Sequence, residues 1–194
     1  MKMTIVVMLL FLAAIGGYQG RVYLEFDRCL QETERSFYAK EYGAGLSAIN
    51  RLRENRWYKP LTRYQRLDIF ELDKIIDFQR GRIEAELGNY KEAYAIFDRC
   101  INAKDSELAF RCLYQQGNIA LSQGNSVAEK KWQAALEKNN GGHDFDTQVN
   151  LELLKSQKKK SQSAADAAML THRRSNDRHF YLRPPTKKDG PVKP

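Results

Sequence analysis

The chain has 194 residues, 29% of them charged and 42% hydrophobic, which suits one domain with tails rather than a string of domains. Ala, Leu, Glu, Lys, Arg and Gln are plentiful, and four of the five prolines fall at or after residue 184, so the body is written in a helical alphabet. The net charge of +8 lies entirely in the tail: residues 1–154 hold 21 Lys/Arg against 21 Asp/Glu, and residues 155–194 hold 11 against 3. A neutral body with a basic tail excludes the usual nucleic-acid-binding domain, whose charge lines a folded face.

Residues 1–24 form a membrane anchor or a signal segment. Lys2 precedes an uncharged run from Met3 to Gly20, before Arg21. A cleaved signal peptide needs a positive start, an apolar core and small residues at its cleavage site, where Ala14 and Gly16 could serve. An anchor needs about 17–25 apolar residues, a length the run to Leu24 reaches, interrupted by Gln19 and Arg21. Tyr18 and Tyr23 suit an interfacial aromatic belt and no Ala-x-Ala is present, which favours the anchor. Lys2 then sets the N-terminus in the cytoplasm and the body on the periplasmic side of a bacterial inner membrane, crossed once.

Residues 25–154 are expected to be an all-α domain. Gly45, Ile49 and Leu52 follow a helical segment holding Phe37 and Tyr38, which marks a degenerate first hairpin over 25–55. A linker with Pro60 comes next, and Thr62 can N-cap a helix carrying Leu67, Phe70, Ile75 and Phe78. Two further hairpins are self-similar. Gly81, Gly88-Asn89, Ala93, Phe97 and Cys100 recur as Gly117, Gly124-Asn125, Ala128, Trp132 and Ala135. Small residues let paired helices approach, the aromatic fills the gap, and Gly88 and Gly124 end each first helix with a left-handed residue. Asn139 to Gly142 reads as a turn, after which Asp146 or Thr147 can cap a helix with Val149, Leu151, Leu153 and Leu154 that closes the array.

This pattern resembles the tetratricopeptide repeat (TPR), over 78–103 and again over 111–139. The family implies stacked helix–turn–helix units with a concave binding surface. Two features depart from it: Asp105 stands where a proline is usual, and Arg80 where an apolar residue is expected. The closing stretch from Val149 to Leu153 is similar to the end of small TPR proteins encoded beside MoxR-type ATPases and von Willebrand-A-domain membrane proteins, including accessory proteins of methanol-dehydrogenase maturation. That likeness implies a part in assembling or maturing an envelope or periplasmic protein complex.

In the family, first helices line the groove. Position by position this gives Phe78, Gln79, Arg82 and Glu86 from one repeat, and Arg111, Tyr114, Gln115, Asn118 and Ser122 from the next. Together they could grip a protein partner through an extended peptide and its carboxylate. Residues 155–194 lose apolar periodicity after a fading helix over 161–170, which predicts a mostly disordered basic tail. Its alternative role is to bind anionic lipid, cell-wall polymer or an acidic protein face, with Phe180-Tyr181-Leu182 between arginines as the anchor.

Chemistry is hard to place. His143 lies in a Gly-rich turn and His172 and His179 lie in the tail, away from any expected core. His143, Asp144 and Asp146 could touch a metal but read more simply as a solvated loop. Cys29, Cys100 and Cys112 show no metal-ligand spacing and read as small apolar residues, although export would allow a Cys100–Cys112 disulfide. No phosphate loop, dinucleotide fingerprint or HExxH is present. The expectation is an adaptor rather than an enzyme, without cofactor, metal or nucleic acid.

Overall fold

The computed structural model describes residues 2–63, 68, 70–124, 126–139 and 144–181. Among them the chain forms eight α-helices and no strand: α1 (Lys2–Tyr38), α2 (Tyr42–Glu54), α3 (Lys59–Arg63), α4 (Leu72–Glu86), α5 (Tyr90–Cys100), α6 (Ser106–Ser122), α7 (Ala128–Lys138) and α8 (Phe145–Tyr181). The chain divides into two units, Met1–Thr147 and Gln148–Pro194.

The first unit is an array of helical hairpins. α1 packs on α2, α4 on α5 and α6 on α7, while α4 also meets α1 and α6, so the first helices of the three hairpins run as neighbours. The wedges of the last two hairpins are equivalent. A Cβ added at Gly81 would stand 2.7 Å from the Phe97 ring, and one added at Gly117 would press closer still on Trp132. Ala93, Phe97 and Cys100 are buried, as are Ala128, Trp132 and Ala135. Helices this close exclude a side chain at the crossing, and the ring takes the volume that the missing Cβ leaves.

The two first helices also end alike. Gly88 has φ +79° and Gly124 has φ +66°. The amides of Leu87, Gly88 and Asn89 donate back to the carbonyls of Ile83, Ala85 and Glu84, at 3.0, 3.0 and 2.8 Å. These bonds satisfy carbonyls that a helix end would otherwise leave open.

The first hairpin repeats that turn without glycine. The amides of Ala39, Lys40 and Glu41 donate to Arg35, Phe37 and Ser36 at the same 3.0, 3.0 and 2.8 Å, and Lys40 takes φ +60°. Counting back seven residues from Lys40, as from Gly88 to Gly81, reaches Thr33, which is fully buried. Ile49, also fully buried, stands at the register of Phe97. Gly45 takes the register of Ala93, and a Cβ there would stand 2.8 Å from Ile83, so α2 and α4 meet at this point.

Between the first and second hairpins the structure differs from the expected helix start. Thr62 lies inside the short α3, ahead of the segment that leads into α4; Phe70 precedes α4 and is 59% exposed; Leu67 lies outside the described residues. The cap is Asp68, whose carboxylate accepts the amides of Leu72 at 2.8 Å and Asp73 at 2.9 Å. A carboxylate accepts both free amides of a first turn, and the sharp entry through Glu71 at φ +54° sets it in reach. Tyr58 and Leu61 of the connecting segment are buried in the core shared by the first hairpin and α4.

Two other helix starts are capped by aspartate. Asp105 accepts the amide of Glu107 at 3.0 Å, which gives the residue in the proline's place a role of its own. Asp144, rather than Asp146 or Thr147, caps α8: it accepts the Thr147 amide at 2.9 Å and the Thr147 hydroxyl. Arg80 is likewise accounted for, because it bridges Glu84 on its own helix and Glu92 on α5, at 3.7 and 3.2 Å. The turn from 140 to 143 lies outside the described residues.

In the second unit α8 continues to Tyr181, past the stretch where the composition sets a fading helix. Ala, Leu, Lys, Gln and Arg supply about half of it, and all propagate a helix well. Residues 182–194 lie outside the described residues.

The N-terminal end carries one helix apolar enough to cross a membrane. Its residues 6–17 are all exposed, and α1 runs on from them into the first hairpin without a break.

Candidate functional site: a cleft between the first helices

Where α1, α4 and α6 run side by side they leave a cleft of about 290 Å³. Leu30 and Glu34 come from α1, Ile75, Phe78 and Gln79 from α4, and Asp105, Glu107, Leu108 and Arg111 from the start of α6. Its apolar floor is made by Phe78 and Leu108, both nearly buried. Phe78 is held from behind by Phe97, ring centres 5.9 Å apart, so the repeat's wedge also fixes the floor of the cleft.

The rim is polar and pinned. Gln79 Nε2 donates to Glu34 at 3.4 Å, and Arg82 Nη1 donates to Gln79 Oε1 at 3.0 Å. The Arg82 guanidinium lies 4.0 Å over the Phe37 ring, which couples α4 to α1 through a cation–π contact. Across the cleft Arg111 Nε donates to Glu107 at 2.7 Å, a pair at least half exposed on both sides and open to exchange for another carboxylate.

Phe78, Gln79, Arg82 and Arg111 of the nine expected residues thus gather at or beside one cleft. The others are placed differently. Asn118 Oδ1 accepts the Trp132 indole N–H at 3.2 Å, with the Tyr114 carbonyl at 3.3 Å, so Asn118 is spent on holding the wedge ring. Ser122 donates back to Ile119 at 2.8 Å, and Glu86 meets Tyr42 at 3.5 Å on an exposed surface. Tyr114 stacks on Phe110 at 6.2 Å, and Gln115 is half-buried. The structure adds Leu30, Glu34, Asp105 and Glu107 to the cleft. Leu30, Glu34 and Phe37 stand at i, i+4 and i+7 on α1, a helical spacing that could have flagged them.

A second, larger cleft of about 430 Å³ lies among Asp68, Glu71, Asp73, Lys74, Asp77, Arg99 and Lys104. Most of its charged side chains are held by neighbouring groups. Lys74 meets Glu71 at 2.8 Å, the Lys104 amide donates to Glu71 at 2.7 Å, and Arg99 and Arg53 both reach Asp77. Burial, and then the neighbouring Asp77, push the Asp73 carboxyl above its ordinary range. This cleft reads as the charged joint between the first two hairpins.

The cysteines are buried free thiols. A hydrogen bond with Cys100, then burial, push the Cys112 thiol far up, and Cys100 and Cys112 are both closed off from solvent. Among the described residues no group of three or more His, Cys, Asp or Glu is placed to hold a metal ion. His143 and Leu182 lie outside the described residues, and Phe180 and Tyr181 are the last two residues of α8. In comparisons with known proteins, no protein-family model, no curated protein and no solved structure matches the chain.

Proposed function

We propose that the protein is a non-enzymatic, membrane-anchored adaptor of the TPR kind, which holds an extended peptide of a partner protein along α1, α4 and α6. The observation that carries this reading is the cleft over Phe78 and Leu108, with Gln79 and Arg82 on one bank and Arg111 on the other. A volume near 290 Å³ takes one or two side chains, so it suits an anchor residue rather than a whole metabolite. Gln79 and the two arginines supply donors for the peptide's carbonyls and for a carboxylate. The resemblance to accessory proteins of the MoxR and von Willebrand-A set gives the adaptor its task, assembling or maturing an envelope complex from the periplasmic face of the inner membrane.

Photo-crosslinking in cells tests this directly. A benzoyl-phenylalanine at Arg111 is expected to trap a discrete protein partner, and one at the exposed Ala95 on α5 to trap none. Arg82→Ala with Arg111→Ala should weaken capture about tenfold or more while leaving the helical circular dichroism intact. Equal trapping at both positions, or capture untouched by losing both arginines, would end the groove reading. Protease added to spheroplasts should reach the array; full protection would place it on the cytoplasmic side.

A further inference from the structure

We propose that the anchor residue which the cleft over Phe78 and Leu108 takes from a partner is a lysine or an arginine, so that the ligand is a basic, extended peptide. The proposal rests on the groove reading above and names the side chain that the groove holds. Three carboxylates line the cleft, those of Glu34, Asp105 and Glu107, against one guanidinium, that of Arg111. Arg82 lies beside the cleft, stacked on the Phe37 ring at 4.0 Å, and is not part of the lining.

The three carboxylates differ in what already meets them. Glu107 is paired with Arg111 at 2.7 Å. The Asp105 side chain accepts the Glu107 amide at 3.0 Å, and Glu34 accepts the Gln79 side-chain amide at 3.4 Å. Among the described residues neither Glu34 nor Asp105 has a cation as partner. In the second cleft, by contrast, Glu71 is met by Lys74, and Asp77 by Arg53 and Arg99. Asp105 also sits at the positive end of α6, whereas Glu34 lies well inside α1, so Glu34 carries the larger uncompensated charge. Negative charge thus faces the cleft from α1 and from the start of α6, with the apolar floor of α4 between them.

A basic side chain fits this distribution. Lysine and arginine lay their stems on apolar surface and keep their charged heads in water. Such a stem covers Phe78 and Leu108, and its head meets Glu34 at the exposed rim. A wholly apolar anchor would strip water from the Glu34 carboxylate without replacing it. An acidic anchor would face three like charges for one guanidinium that is already engaged. Arg82 and Arg111 keep their roles toward the peptide's carbonyls and a carboxylate elsewhere along it.

Photo-crosslinking of the full chain at Arg111, followed by mass spectrometry of the joined peptides, tests the anchor. A lysine or arginine should stand beside the joined position in the trapped segment. Glu34→Gln with Asp105→Asn removes both free charges, while the amides still accept the same bonds and Asn still caps α6. This variant should trap about fivefold less or lower still. Glu137→Gln with Asp146→Asn removes as much charge from exposed residues outside the cleft and should trap as the wild type does. In detergent extracts, raising salt from about 0.05 M to about 0.5 M should weaken trapping by the wild type and change the cleft variant much less. Trapping that survives loss of both cleft charges, or a trapped segment with no basic residue at the joined position, overturns the basic anchor and leaves the groove reading standing. A wild type that traps no partner overturns the groove reading and the anchor with it.

Discussion

The first hairpin and the two that follow reach the same geometry by different means. In the second and third, a glycine faces an aromatic ring and a second glycine turns the chain. In the first, Thr33 and Ile49 are buried at the positions of Gly81 and Phe97, and Lys40 stands where Gly88 does. The larger residue on one helix is matched by a smaller one on the other, so the filled volume is roughly kept while the residue types are not. What the repeat conserves is therefore a sum of volumes and one left-handed turn, and a backbone of equal shape can hide behind unlike residues.

The sharpest way to break this comparison is to transplant half of the first hairpin's solution. Gly81→Thr alone sets a branched side chain where a bare Cβ would already stand 2.7 Å from Phe97, and should cost about 3 kcal/mol. Phe97→Ile alone leaves a void and should cost about 2 kcal/mol. Together they recreate the Thr33/Ile49 pairing, so the double variant should lose at least about 1 kcal/mol less than the two single losses combined. Thermal unfolding of the full chain in detergent measures all three, and strict additivity would show that the pairs are not equivalent.

The turns give a smaller effect of opposite sign in the two regions. Lysine in the left-handed region is strained and glycine is not. Lys40→Gly should therefore stabilise by about 1 kcal/mol and Gly88→Lys should destabilise by a similar amount. If Lys40→Gly lowers the melting temperature, the long side chain contributes something that the shared turn geometry does not explain.

This contrast also governs what could be read from the sequence. Glycine and aromatic residues announce a wedge by their types, so Gly81/Phe97 and Gly117/Trp132 were legible and lie as expected. Gly45, Ile49 and Leu52 located the first hairpin, but its turn was invisible because no residue type marks Lys40 as left-handed. Capping was misassigned twice for one reason. Thr62 and Asp146 have suitable side chains, but Asp68 and Asp144 stand where the backbone turns toward a free amide, and only tertiary packing decides where that is. In the cleft, Phe78, Gln79, Arg82 and Arg111 could be placed by analogy with a first helix. Asn118 could not, because its bond to the Trp132 indole comes from the opposite helix.

The joints between hairpins extend the comparison and carry its smallest test. The joint from α5 to α6 is closed by apolar packing around Cys100 and Cys112, whereas that from α2 to α4 holds Arg53 against Asp77 with Asp73 beside them. Burial and the neighbouring Asp77 raise the Asp73 carboxyl, although Arg53 at 3.7 Å draws it the other way. A carboxyl raised on folding favours the protonated form in the folded state. Its contribution is fully present below the unfolded value near 3.8 and is lost as pH rises through the raised folded value. Asp73→Asn keeps the shape and removes the charge, so it should match the wild type in acid and exceed it at neutral pH, by less than about 1 kcal/mol. Melting curves from pH 3 to pH 8 would show the gap opening through the carboxylate range. A variant that is less stable at neutral pH would mean that Arg53 holds Asp73 as firmly as it holds Asp77, making this joint a three-membered ion cluster rather than one pair with a buried acid beside it.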